Sequence, residues 1–151
     1  SQFGLRLRQK MGYKLQPLFD KLRREMVRGQ PRQNHRPLTV ETVAPNHPIM
    51  RGMPQKWETI PEELYELERV WPTMVPLAQS FSIESKKPYP NIWTNTHGKA
   101  RVFVTSLGHN TEMIANPMYL DMVARAVLWT TGHLKDDGTP APGYAGGQKT
   151  P

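Results

Sequence analysis

The chain has 151 residues, no cysteine and a formal net charge of +7. That length supports one hydrophobic core. The lack of cysteine excludes disulfides, thiolate metal sites and a cysteine nucleophile from these residues, and no apolar run approaches the roughly 18–20 residues of a membrane span. Neither cysteine usage nor the start of the chain assigns a compartment, cytoplasmic or periplasmic.

The charge is uneven. Residues 1–36 hold ten of the 20 Lys and Arg against only Asp20 and Glu25, so the whole basic excess sits in the first segment. Such an arm can bind nucleic acid. However, Leu15, Leu18, Phe19, Leu22 and Met26 recur at helical spacing, which predicts an ordinary amphipathic helix over about 13–28 with a solvated basic face. The helical reading outweighs the nucleic-acid one. Residues 1–33 are therefore expected to form a basic helix and loop, ahead of a domain over 34–135.

Within that domain, Pro37 to Val43 alternates like a strand, and Ala44 to Pro61 is a loop punctuated by four prolines. Met74 to Phe81 reads as a strand and Ser82 to Pro90 as a polar connection. A short strand then leads through a His97-Gly98 turn into Arg101 to Leu107. There Val102 and Val104 fall on one side, with Phe103 and Leu107 on the other. A strand apolar on both faces predicts a central position in a mainly parallel sheet flanked by helices. Gly108 lets the backbone turn at its end and delivers His109 to the carboxyl edge, where open α/β sheets bind ligands.

Asn116 then caps a helix whose first residue is Pro117, a position where the missing proline N–H costs nothing. Leu120, Val123, Ala124, Val127 and Leu128 are expected to form its apolar stripe, and Gly132 to stop it. Residues 136–151, rich in Gly and Pro, read as a loosely ordered tail.

Several of these stretches form a familiar series. His47-Pro-Ile-Met-Arg-Gly-Met-Pro54, Glu63-Leu-Tyr65, Trp93-Thr94, Gly98-Lys-Ala-Arg-Val-Phe103, Thr105-Ser-Leu-Gly-His109 and Val127-Leu-Trp-Thr-Thr-Gly132 stand in order. Together they resemble the ThuA-like, or trehalose-utilisation, family. The resemblance implies a doubly wound α/β fold like that of class I glutamine amidotransferases. It also implies that the N-terminal βα units are missing, so that the chain is the C-terminal portion of a longer protein, and it tips Leu64 to Trp71 toward strand. His109 then stands where the amidotransferases keep a catalytic histidine. Without a cysteine the glutaminase route is closed to these residues.

The resemblance further implies a sugar, trehalose or a related glycoside, at the strand ends, with His109 as acid/base or ligand. His47, Glu63, Tyr65, Trp93 and Asn110 are the candidate sugar-binding residues. His47, held extended before Pro48, suits a ligand or a loop staple equally. Trp93 could stack on a sugar ring or pack inside. Arg101 is expected to pair with a carboxylate or a carbonyl, and Trp129 to pack. His35, His47 and His109, with Glu63 or Glu112 as an oxygen ligand, are weak candidates to converge on a divalent metal such as zinc, although no spacing motif supports it. His47 and His109 are expected to face one shared cleft at the carboxyl edge of the sheet. Two other readings stand beside the sugar one: a non-catalytic module binding a ligand or further domains of the same chain, and nucleic-acid binding through the first segment.

Overall fold

The computed structural model describes residues 36–145; the helix expected over 13–28 and His35 lie outside them. Five strands form one sheet in the order β2-β1-β3-β4-β5. They are β1 (Thr39–Thr42), β2 (Lys56–Glu58), β3 (Val75–Ser82), β4 (Lys87–His97) and β5 (Ala100–Thr105). A turn of 3-10 helix, Pro48–Met50, follows β1, and helices α1 (Thr111–Ile114) and α2 (Pro117–Thr130) follow β5. Residues 64–71 form no strand, whereas β2 emerges from the stretch read as loop.

Every strand pair is antiparallel, which overturns the expected mainly parallel, doubly wound sheet. The connections explain why. In the β4–β5 ladder His97 pairs with Ala100, so only Gly98 and Lys99 join the strands. Gly98 adopts φ +59° there, the left-handed backbone that tight hairpins demand. A link that short cannot make the crossover a parallel pair needs. β3 and β4 are likewise joined by residues 83–86, where Lys86 takes φ +58°.

β5 is also not central. It bonds only to β4 and forms one edge of the sheet, with Val102, Phe103 and Val104 half-buried. α2 lies over one of its faces, the one that carries Arg101 and Phe103. The Tyr119 hydroxyl donates to the Leu107 carbonyl at 3.0 Å near one end of that helix. At the other end, Arg101 Nη1 donates to the Trp129 carbonyl at 3.1 Å, so Arg101 pairs with a carbonyl. The helix therefore runs antiparallel to β5 and covers it from end to end.

The expected start of α2 is observed: the Asn116 side chain accepts the Met118 and Tyr119 N–H groups, and Pro117 opens the helix. Its buried face is rotated, however. Tyr119, Met122 and Ala126 meet the sheet, while Leu120 and Val127 are 48% and 57% exposed. A tyrosine whose hydroxyl finds a partner buries as readily as an aliphatic residue, and that moves the stripe. Below it the core gathers Val40, Ile49, Met50, Leu77, Ile92 and Met113. Past α2, where a loose tail was expected from composition, hydrogen-bonded turns continue. The Ala141 N–H donates to the His133 carbonyl, and Asp137 accepts from Thr139. Among the described residues no helix is long and apolar enough to cross a membrane.

Candidate functional site: a carboxylate pair holding His109

The backbone beyond β5 is held by Glu62, a residue with no distinctive signature in the sequence. Its own N–H donates to the Arg36 carbonyl, and its side chain is 0% exposed. The carboxylate accepts the Gly108 N–H at 3.0 Å and the His109 N–H at 3.2 Å. Two N–H groups directed at one ionised group are stronger than ordinary neutral pairs. Gly108 is required by this geometry. Its φ is +105°, and a Cβ there would stand 2.7 Å from the Tyr119 hydroxyl. Burial, and then the negative charge of Glu62, push the Tyr119 phenol above its usual 10.0.

Glu63 faces the ring of the same histidine. Its side chain is 9% exposed, and its Oε2 lies 3.9 Å from His109 Nδ1. The Tyr65 hydroxyl donates to that same oxygen at 2.9 Å. Glu62 thus fixes the backbone of His109 while Glu63, itself oriented by Tyr65, stands beside its imidazole. The His109 side chain remains 43% exposed. Asn110 follows, its amide donating to the Pro61 carbonyl, which ties the 61–63 segment to the residues after β5. Four expected site residues, Glu63, Tyr65, His109 and Asn110, are therefore together, with Glu62 added beneath them.

The remaining candidates are elsewhere. His47 Nδ1 accepts the Ile49 N–H at 3.3 Å, and its ring packs on Trp129 at 5.3 Å. Trp129 lies beside Arg101 at the start of β5, whereas His109 follows its end. The expectation that His47 and His109 share a cleft fails on this arrangement. His47 staples its own loop, and burial lowers its pKa below 6.5. Trp93 is only 4% exposed, so it has no open face for a sugar. Glu112 is exposed in the first turn of α1. Among the described residues no three His, Cys, Asp or Glu side chains are grouped to hold a metal ion, so the convergence of His47, His109 and Glu63 or Glu112 does not occur.

The architecture is an antiparallel sheet, helix-covered on one face, with a histidine poised between two carboxylates past its edge strand. The chain belongs to the ThuA family, described as trehalose utilisation, whose profile matches residues 13–130. That range begins inside the segment read as a separate basic arm. The chain is also similar to a crystal structure of a ThuA-like protein from Parabacteroides merdae, with a TM-score of 0.52 and 21% identity. The likeness covers 73% of this chain and 45% of that one, so this chain spans less than half the length of that relative. No curated protein matches the chain.

Proposed function

We propose that this chain serves carbohydrate utilisation by holding a sugar, trehalose or a related glycoside, against the exposed side of His109. The observation that carries the reading is the Tyr65–Glu63–His109 series, in which one Glu63 oxygen faces both a phenol and an imidazole. A carboxylate beside an imidazole fixes its orientation and stabilises the ring when it gains a proton. His109 can then take a proton from a sugar hydroxyl, or return one, while Glu63 balances the charge. With the Asn110 amide N–H on Pro61 and the Tyr65 hydroxyl proton on Glu63, the oxygens of these two side chains would serve as acceptors for sugar hydroxyls. The chemistry assigned to the site is proton transfer through His109.

Calorimetric titration of the full chain with trehalose and a panel of related glycosides tests this reading. His109→Ala should weaken binding at least about tenfold, the worth of one or two lost hydrogen bonds. Tyr65→Phe should weaken it by a smaller factor, because Glu63 loses its anchor but His109 remains. Both variants should melt close to the parent. A parent that binds none of these sugars, or a His109→Ala chain that binds as well as the parent, overturns the proposal. Binding without turnover of any of them would reduce the site to a sugar-binding module.

A further inference from the structure

The two edges of the sheet are built differently. β2, at one edge, has three residues and carries Lys56 and Glu58, the short, charged form that discourages further pairing. β5, at the other, has six residues, with Val102, Phe103 and Val104 in a row, no proline, and an unbroken register against β4. Among the described residues it bonds only to β4. The Ser106 N–H donates to the Asn91 carbonyl, and antiparallel bonding alternates from there, so Ala100, Val102 and Val104 bond toward β4. The backbone N–H and C=O groups of Arg101, Phe103 and Thr105 therefore point off the edge. The Arg101 guanidinium does not guard them, because it turns back onto the Trp129 carbonyl and ring.

α2 exposes apolar surface on the same side of the molecule. Arg125 donates to the Arg51 carbonyl, and His47 packs on Trp129, so one flank of the helix faces the loop that follows β1. In the strand order β1 lies on the far side of β3 and β4 from β5, so the opposite flank looks out beyond β5. Leu120 and Val127 lie on that flank, about a third of a turn from the buried Tyr119, Met122 and Ala126 face and away from Arg125. They are 48% and 57% exposed, with Val123 partly buried and Ala124 exposed beside them. The flank carries no charge, since Asp121 and Arg125 pair with each other elsewhere on the helix.

We propose that a second copy of this chain binds here, pairing β5 with β5 in one antiparallel ladder and setting the two α2 helices side by side on one face of the joined sheet. Two observations select a copy of this chain. The first is that the surface is self-complementary about a single two-fold axis, as a symmetric dimer requires. α2 runs antiparallel to β5, with Tyr119 bonded to Leu107 and Trp129 to Arg101. The middle of the strand, residues 103–104, is therefore level with the middle of the apolar stripe, residues 123–124. One axis normal to the sheet through both points brings the outward groups of β5 onto their own copies. The same axis sets Leu120 against Val127 of the second copy, with the small Ala124 beside it. The second observation is charge. A chain of net charge +7 repels its copy over most of its surface, whereas this flank opposes no like charges and buries exposed apolar groups.

Sedimentation of the full chain over a hundredfold range of concentration, with amide hydrogen exchange at both ends of the range, tests the proposal. The parent should pass from monomer to dimer, and the Arg101, Phe103 and Thr105 amides should exchange at least tenfold more slowly in the dimer. Leu120→Glu with Val127→Glu sets like charges across the axis and should weaken association at least tenfold. Both positions are exposed, so the variant should melt close to the parent. Leu120→Glu with Val127→Lys sets opposite charges across the axis and should recover most of that loss. A parent that stays monomeric throughout overturns the proposal, as does a dimer that the two variants leave intact or weaken alike. Slow exchange of the three amides already in the monomer overturns it too, because the chain's own remaining residues would then cover the edge. The exchange measurement needs no variant, so the outcome does not depend on how the substitutions fold.

Discussion

Glu62 shows how one buried side chain can position the backbone of another residue, here the proposed site histidine His109. It spends its charge on the Gly108 and His109 N–H groups, and the adjacent Glu63 meets the His109 ring. Two carboxylates in sequence thus meet one histidine, Glu62 holding its backbone and Glu63 standing 3.9 Å from its ring. Glu62→Ala leaves both N–H groups without their acceptor. Because these groups are part-buried, the cost for each should fall at the lower end of about 1–3 kcal/mol. Glu62→Gln keeps one acceptor oxygen and should cost less than the alanine variant. Urea unfolding of the two beside His109→Ala orders them, with His109→Ala the mildest since its ring is 43% exposed. An alanine variant at Glu62 as stable as the parent would remove Glu62 from this role. His109 was legible in the sequence because a glycine precedes it at the end of an apolar strand. Glu62 was not, because a carboxylate that accepts only backbone N–H groups leaves no pattern in the residues around it.

At the scale of elements, what the sequence showed was whatever local chemistry dictates. Asn116-Pro117 started α2 where expected because a side-chain cap and a proline act within one turn. The direction of the sheet was equally local, written in the two-residue Gly98-Lys99 hairpin. The two-sided apolar pattern of residues 101–107 and the family resemblance pointed the other way. That pattern says nothing of how many strands lie beside β5. The edge position changes what a mutation there should do. Val104 is half-buried on an edge strand opposite Trp93, so Val104→Ala should cost on the order of 1 kcal/mol. Met122, 0% exposed beneath the sheet, should cost about 2–5 kcal/mol when cut to alanine. Denaturant midpoints with unchanged slopes would report the difference. A Val104→Ala loss as large as that of Met122→Ala would mean that Val104 is packed far more tightly than its half-buried place implies.

For the whole molecule, stability against pH joins the two ends of α2. His47 packs against Trp129 near the helix C-terminus, and its pKa is lowered from 6.5 by burial. The unfolded chain therefore takes up this proton before the folded one does. The related stability is complete above pH 6.5 and is lost as pH falls through the lowered folded value. Protonation would also end the acceptance of the Ile49 N–H by Nδ1, which reinforces the same direction. Tyr119, near the other end, has its pKa raised above 10.0 by burial and by Glu62. Its contribution is complete below pH 10 and is lost as pH rises through the raised folded value. Asp137, lowered from 3.8 chiefly by the Thr139 hydroxyl, titrates in a separate, more acid window. Folding free energy should thus be flat between about pH 7 and 9 and fall on both sides of that range. Urea unfolding at half-unit pH steps measures the profile. His47→Gln keeps a neutral acceptor for Ile49 and should flatten the limb just below pH 6.5 while leaving the alkaline limb unchanged. Tyr119→Phe should do the reverse, at the cost of the hydrogen bond to the Leu107 carbonyl. If the acid limb survives His47→Gln intact, the loop staple against Trp129 is not what the proton disrupts.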